Sequence, residues 1–403
     1  MRHLFIAASV LALAACNISA SDENEDQTTQ AEPASDNLAD SMASNDDRYL
    51  NEIGDDAASD PTQSSDIPDS EERPIMQAQV VLDRIGFGPG VIDGKMGMST
   101  ENALTGFQQA NGLEVTGKLD EQTRKALADW EKIPATRVVR IPDDWADQGY
   151  TDIPEDTAEK AKLDRLGYKS LDERLAERFH TTIETLEMLN PGGKPAGSGP
   201  DADATSSPSP TPTPSADKAT PGMTKSSKFA AGQMIRVPNI GADKIKPGAI
   251  ESEDWQRTLA SLGVGSEQPE VDRIVVSKAG KTLKAYQGEK LVALFTVSSG
   301  SSEFPLPLGD WDILGEAYNP TYSYDPEVLG QGEGKEYQLP PGPNGPVGVV
   351  WIDLSKEHYG IHGTPDPETI GRAQSSGCVR LTNWDAARLA QMVSQSTKVE
   401  FVA

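Results

Sequence analysis

The stretch SSGCVRL, residues 375–381, together with HGT, residues 362–364, decides how the C-terminal third of this chain is interpreted. Cys378 follows His362 by sixteen positions. A thiol that acts as a nucleophile needs a base within hydrogen-bond reach and donors around the carbonyl oxygen that becomes anionic. Adjacent strands can bring the His362 ring to the sulfur, so the residues alone favour a catalytic Cys378 over a buried structural cysteine.

The residues around this pair suit the same chemistry. Gly363 and Gly377 leave room for a substrate backbone, and Gly377 also frees its own amide and that of Cys378 to point inward. Arg380 adds positive charge that lowers a thiol pKa or holds a substrate carboxylate. Two alternatives stay open at this point: a buried cysteine beside a core histidine, and a zinc site, for which His358, His362 and Cys378 lack a compact ligand pair.

Short apolar runs separated by Gly and Pro turns predict a β-rich domain over residues 271–403. One helix is predicted at 385–393, with Thr382 as its cap and Asp385 as the acid of a capping box. Pro340 to Pro346 reads as a stiff loop. The predicted strands are residues 274–276, 291–297, 311–313, 348–354 and 398–402.

These motifs resemble the signature of the L,D-transpeptidase (YkuD-type) catalytic domain. Further stretches of the resemblance are SSG at 298–300, PLPLG at 305–309, PGPNGPVG at 341–348 and NWD at 383–385. The resemblance implies a cysteine acyltransferase of the bacterial wall, which cleaves the L-to-D bond after the third residue of a stem tetrapeptide and transfers the acyl group to a diaminopimelate amine. It also implies that 3-3 cross-links form without a metal or cofactor.

Carried over by position, Cys378 is the nucleophile and His362 the base that later acts as acid. The substrate-binding and oxyanion residues implied are Arg380, Gly377, Ser375, Ser376, Val379 and Gly363. One departure stands out, because the family commonly has histidine where this chain has Ser376; His358 is a candidate replacement. Sensitivity to carbapenems is expected through acylation of Cys378. An L,D-carboxypeptidase or an inactive wall-binding tethering lipoprotein of the same fold remain alternatives.

Residues 73–132 predict a small all-α module of three helices, which precedes the β-rich, mostly sandwich-like catalytic domain. Helices are expected around 76–87, from about Ser99, and from Asp120, a good N-cap. The stretches LDRIGF (82–87), VIDG (91–94) and FQQANGL (107–113) resemble the peptidoglycan-binding domain. The resemblance implies that this module docks stem peptides or glycan.

Residues 138–240 are interpreted as a diverged LysM-like module or a spacer. LAERFH at 175–180, LNP at 189–191 and GQMIRVPN at 232–239 carry the LysM-like pattern. A Pro/Ser-rich insert, 193–228, has to loop out of such a module. His180 is expected to be a packed or surface residue with no other ligand-type residue beside it.

The N-terminus predicts a lipoprotein. Residues 1–15 have a short basic start and an apolar run, which is the layout of a secretory signal, and Cys16 directly follows Leu-Ala-Ala as in a lipobox. Residues 16–72 are an acidic, polar tether. The expected location is the periplasm, with a lipid anchor in a membrane, and Asn17 after the cysteine favours the outer membrane. The net charge of −27 argues against a nucleic-acid partner.

Overall fold

The computed structural model describes residues 67–147, 149–198, 227–302, 304–327, 332–372 and 377–403. The predictions for Cys16, the signal 1–15, nearly all of the tether and most of the insert lie outside these residues, as do Ser375 and Ser376. Within these ranges, no helix is long and apolar enough to cross a membrane. The predicted class is confirmed, since a helical module precedes a β-rich domain.

Three helices form the N-terminal module: α1 (Pro74–Arg84), α2 (Met98–Ala110) and α3 (Glu121–Ala126). The predicted cap of α3 is confirmed, because the Asp120 carboxylate accepts a hydrogen bond from Thr123 N at 2.9 Å. A 3-10 turn, Ala128–Trp130, ends the module. There Trp130 packs edge-on against the buried Phe107 ring, with centroids 6.5 Å apart.

The middle segment folds as a packed module around its own apolar core. Its elements are β1 (Thr136–Arg140), a 3-10 turn (Asp143–Asp147), α4 (Thr157–Lys160), α5 (Leu171–Arg178), α6 (Ile183–Leu189), a second 3-10 turn (Pro191–Gly193) and β2 (Met234–Pro238). Strands β1 and β2 pair antiparallel. The chain rejoins the module after the insert at α5, where the Asp172 carboxylate accepts a hydrogen bond from Lys228 N at 2.8 Å.

A buried cation holds this module to the segment before α1. The Arg236 side chain is 2% exposed. Its guanidinium donates to the carbonyls of Ala196 and Ile67, each at 2.7 Å, and to Thr136 Oγ1 at 2.9 Å. Because a buried charge is stable only when it is hydrogen-bonded, these partners fix residues around 67 against β1 and β2.

The C-terminal domain is built on one sheet, and its strands confirm the five predicted ones. The bounds are β3 Arg273–Ser277, β4 Thr282–Gln287, β5 Lys290–Thr296, β6 Ser298–Ser299, β7 Gly309–Tyr318, β10 Val350–Leu354, β11 Gly360–His362, β12 Val379–Arg380 and β13 Lys398–Val402. The described strands lie in the order β5-β4-β3-β13-β7-β10-β11-β12-β6. Strand β7 joins the two halves of the sheet, because its first four residues pair with β13 and the following ones with β10.

Helices and a hairpin flank this sheet. Helix α7 (Glu253–Leu262) leads into it and packs its apolar face on the main core. Helix α8 (Asn383–Ala390) starts at the predicted cap, where Thr382 Oγ1 accepts from Asp385 N at 3.0 Å. Strands β8 (Tyr322–Tyr324) and β9 (Tyr337–Leu339) form an antiparallel hairpin, and a 3-10 turn, Pro367–Thr369, follows β11.

The N-terminal module covers the edge strand of this sheet. Gly88 N donates to Leu294 O at 2.8 Å, and Leu294 N donates to Gly86 O at 3.1 Å. Helix α2 lies on the same strand, where a Cβ at Gly106 would stand 2.9 Å from the Leu294 side chain. Leu294 belongs to the apolar core of the module. Pairing of this kind shields an exposed strand edge and fixes the module on the catalytic domain.

Candidate active site

Three neighbouring strands bring the residues of the two sequence motifs together. In the β10–β11–β12 register, Trp351 pairs with His362, and His362 pairs with Arg380. Cys378 directly precedes β12, two positions before Arg380. Paired residues of neighbouring strands share a side of the sheet. The parallel β11–β12 pairing therefore puts His362 and Arg380 on one face, and Cys378 lies in the bend directly before β12.

The tautomer of His362 follows from its surroundings. The ring is 6% exposed, and Nδ1 lies 2.6 Å from the carbonyl oxygen of Gly363. A carbonyl only accepts, so Nδ1 carries the proton and Nε2 is left as the basic nitrogen. Burial, with the positive charge of Arg380, lowers the pKa of His362 to about 4, although the Gly363 carbonyl opposes this. The ring stacks on Trp351 with centroids 5.5 Å apart.

The Cys378 thiol is in its neutral form. Burial raises its pKa, and the backbone hydrogen bond at Gly360 and the charge of Arg380, which both lower it, do not outweigh burial. Sγ donates to the carbonyl oxygen of His358 at 3.7 Å. The His358 side chain is 62% exposed and its Nε2 lies 3.5 Å from Glu357. His358 thus contacts the thiol through its backbone carbonyl. At neutral pH the site holds a neutral Cys378 thiol and a neutral His362 imidazole.

Glycines flank the pair where side chains would not fit. Gly377 has φ +105°, a region that favours glycine, and a Cβ there would stand 2.7 Å from the Tyr359 ring. A Cβ at Gly363 would collide with Asn383 Oδ1. Tyr359 and Asn383 therefore pack directly against the two motif glycines.

Two residues of the site were not identified from the sequence. Burial raises the pKa of Tyr322, and negative charge on Cys378 would add to the rise, so the two groups interact electrostatically. Asn383 accepts from Val349 N at 3.2 Å and donates to Pro343 O at 3.1 Å. Tyr322 is 56 positions from Cys378 and lies in none of the motifs, so nothing in the sequence indicated it. Asn383 lies in the NWD stretch of the resemblance, which could have pointed to it.

His180 is a packed residue, as expected, but the expectation that no other ligand-type residue lies beside it is wrong. His180 is 3% exposed and lies at the junction of all three modules, where ligand-type atoms of Asp83, His180 and Asp385 lie within 4.8 Å of one another. Arg388 Nη1 stands 3.5 Å from Asp83 Oδ1 and donates to the Asp83 backbone oxygen at 2.9 Å. A fixed guanidinium at this distance balances the carboxylates, so we interpret the cluster as an ionic junction rather than a cation site.

Charge coupling within this junction supports that interpretation. Burial disfavours charge on both Asp83 and His180, but their mutual ion pair, 3.7 Å between Nδ1 and Oδ1, outweighs it. The pKa of Asp83 is lowered and that of His180 is raised. The His180 ring also stacks on Trp384 of α8, with centroids 5.4 Å apart.

Comparison with known proteins agrees with both resemblances. Residues 271–401 match the family model of the YkuD L,D-transpeptidase catalytic domain. Residues 72–127 match the model named "Putative peptidoglycan binding domain". The chain thus carries an L,D-transpeptidase catalytic domain behind a peptidoglycan-binding domain, and both sequence predictions are confirmed.

Its relatives are also L,D-transpeptidases by name. The "Putative L,D-transpeptidase YkuD" of Bacillus licheniformis is 35% identical over 127 residues, which are 32% of this chain and 63% of that protein. The protein of the same name from Bacillus subtilis is 32% identical over 126 residues, 31% of this chain and again 63% of the relative. The chain therefore spans less than two thirds of these relatives. A solved "L,D-transpeptidase from Mycobacterium smegmatis" shares 22% identity at a TM-score of 0.28, covering 33% of this chain and 59% of that one.

Proposed function

We propose that this protein is a cysteine-dependent L,D-transpeptidase of the cell wall. It cleaves the L-to-D bond of a stem tetrapeptide and transfers the acyl group to a diaminopimelate amine, which forms a 3-3 cross-link. The observation that supports the proposal is the β11–β12 pairing, which sets His362 beside Arg380, two positions after Cys378, while the Cys378 thiol donates to the carbonyl of His358 just before β11. A thiol, a base whose Nε2 is the basic nitrogen and a cation thus come from neighbouring positions of two paired strands.

The first half-reaction starts from the neutral pair. The thiol proton moves to His362 Nε2 while Sγ attacks the carbonyl carbon, so a C–S bond forms and the oxygen becomes anionic. Backbone amides of residues 377–379 and Arg380 stabilise that oxygen. The C–N bond then breaks, and the imidazolium returns its proton to the departing D-alanine amine. The product is a thioester on Cys378.

The second half-reaction uses the same base. The acceptor amine attacks the thioester, its proton goes to His362 Nε2, and the C–S bond breaks as the proton returns to sulfur. Tyr322, which interacts electrostatically with Cys378, contributes a hydroxyl that donates to the developing oxyanion or orients the acceptor. Ser375 and Ser376 complete the substrate wall in this proposal.

The remaining modules hold the enzyme on its polymeric substrate. The N-terminal module binds peptidoglycan, the middle module either binds glycan or spaces its neighbours, and a lipid on Cys16 anchors the chain, with residues 16–72 as tether. Binding a polymer beside the active site raises the effective concentration of stem peptides. The expected compartment is the periplasm at the outer membrane.

An inactive tethering lipoprotein is the second candidate. The raised pKa of Cys378 favours it, because a neutral thiol is a weak nucleophile until a base takes its proton. A hydrolase that uses water as acceptor is a third outcome of the same site.

Product analysis separates these functions. The mature chain carrying Cys16→Ser, which removes the lipid, is incubated with disaccharide-tetrapeptide and the muropeptides are identified by mass spectrometry. We expect 3-3 dimers and released D-alanine. Tripeptide without dimers would indicate an L,D-carboxypeptidase, and no product would indicate the tethering lipoprotein.

The pH below which activity falls is predicted to be unusually low. His362 acts only when it is unprotonated, and its pKa is about 4, so kcat/KM is expected to stay level from pH 7 to about pH 5 and to fall below that. The measurement is the pH dependence of Cys378 acylation under single-turnover conditions. An acid limb near 6.5, the ordinary histidine value, would contradict the buried neutral base.

A further inference from the structure

The middle module is bound to the loop that joins β9 to β10. Leu166 N donates to Pro341 O at 2.9 Å, and Asn344 N donates back to Leu166 O at 3.0 Å. The Asn344 side chain donates to Gly167 O at 2.8 Å and to Glu173 Oε2 at 3.2 Å. Four hydrogen bonds therefore tie residues 341–344 to the chain just before α5 and to α5 itself.

This contact is built closely enough to require glycine. Gly342 has φ +146°, and a Cβ there would collide with the carbonyl of Leu166. Leu166 is fully buried although it lies outside any helix or strand. The backbone of the loop thus contacts the backbone of the middle module directly, and we expect the two to move together.

The same loop reaches the catalytic histidine on its other side. Asn383 donates to Pro343 O at 3.1 Å and accepts from Val349 N at 3.2 Å, so it holds both ends of the loop. Its Oδ1 also lies where a Cβ of Gly363 would be, which means that Asn383 abuts the residue after His362. The carbonyl of Gly363 is the acceptor for His362 Nδ1.

We propose that the middle module is a positioning element of the active site: Asn344, held by Gly167 and Glu173, fixes loop 341–349, and this loop with Asn383 sets the Gly363 carbonyl that fixes the His362 tautomer. The inference rests on the proposed function in using His362 as base. It assigns to residues 163–173 a role in the reaction that differs from binding glycan.

The physical consequence is specific to the histidine. When the loop loses its hold, the Gly363 carbonyl is no longer fixed against Nδ1, and the imidazole populates the tautomer that carries its proton on Nε2. That tautomer cannot accept the thiol proton. Turnover therefore falls while KM is expected to hold, because Asn344 forms no hydrogen bond to the binding residues that the structure describes.

The test compares Asn344→Ala with Gln338→Ala in the full chain. Asn344→Ala removes both side-chain hydrogen bonds to the middle module. Gln338 lies on β9, the strand that precedes this loop, is exposed, and its side chain hydrogen-bonds only to Ser323 among the contacts described, so it is the matched control. We expect kcat to fall about 10-fold or more in Asn344→Ala with KM within about twofold, and no change in Gln338→Ala.

A second measurement does not depend on turnover. The chain has four histidines, so ¹⁵N shifts of the imidazole nitrogens are assignable to His362 through a His362→Gln spectrum. The native chain should show protonated Nδ1, and Asn344→Ala a mixture of tautomers. A native tautomer and native kcat in folded Asn344→Ala would overturn the proposal. A native chain that lacks turnover, but whose tautomer shifts in Asn344→Ala, would refute only the proposed function.

Discussion

Cys378→Ala is expected to abolish the release of D-alanine from tetrapeptide, with a loss of at least about 10⁴-fold in kcat. The reason is that the proposed reaction passes through a thioester, and Cys378 is the one cysteine among the described residues. Release of D-alanine measured by a coupled assay, with 3-3 dimers followed in parallel, gives the rate.

The control is Cys378→Ser, which keeps the size of the side chain and its hydrogen bond to the His358 carbonyl. Its hydroxyl is harder to deprotonate than the thiol, so we expect a rate well below that of the native chain but a native thermal midpoint. Turnover in Cys378→Ala within about tenfold of native would show that another residue carries the acyl group.

Asp83→Ala is predicted to destabilise the protein by about 3–5 kcal/mol, because it leaves the charges of His180 and Arg388 buried with Asp385 as their remaining carboxylate. The measurement is urea unfolding at pH 6. The matched control is Glu114→Gln on the same module. Glu114 is exposed and its side chain forms no hydrogen bond or ion pair in the described structure, so this change should alter stability by less than about 0.5 kcal/mol.

The pH dependence of this loss follows from both partners. The groups that face His180 are Asp83, Asp385, Glu177 and Arg388. Because the pKa of His180 is raised in the folded protein, its ion pair stabilises fully below pH 6.5 and weakens as pH rises through the folded-state pKa. Because the pKa of Asp83 is lowered, the ion pair is present above pH 3.8 and is lost as pH falls through the folded-state pKa of Asp83. The difference between native and Asp83→Ala should therefore be largest between about pH 4 and 6.5, and an equal loss at all pH values would contradict the ion pair.

Local signals in the sequence predicted most of the secondary structure at this site. Asp120 and Thr382 are caps whose partners lie three residues away, so the chain near them suffices to identify the helix start. Apolar runs marked the long strands. Strands β11 and β12, of three and two residues, are too short to show a periodic pattern, and their pairing is what sets His362 beside Arg380.

Contacts between modules could not be predicted from the sequence. The partners of His180, Asp83 and Asp385, are distant along the chain and come together only when three modules pack, so no spacing rule indicates them. The same holds for Leu166 and Gly342, whose contact is between backbones. Composition also suggested separate modules on linkers, whereas the described modules share cores and hydrogen bonds with the catalytic sheet.

The most direct test of the central claim is to find the acyl group on the enzyme. The mature chain that carries Cys16→Ser and keeps Cys378 is mixed with disaccharide-tetrapeptide and quenched in acid within one turnover. It is then digested, and the peptides are mapped by mass spectrometry. We predict a tripeptide adduct on the peptide that contains Cys378, absent from Cys378→Ala. Release of D-alanine without an adduct on that peptide would contradict the cysteine mechanism.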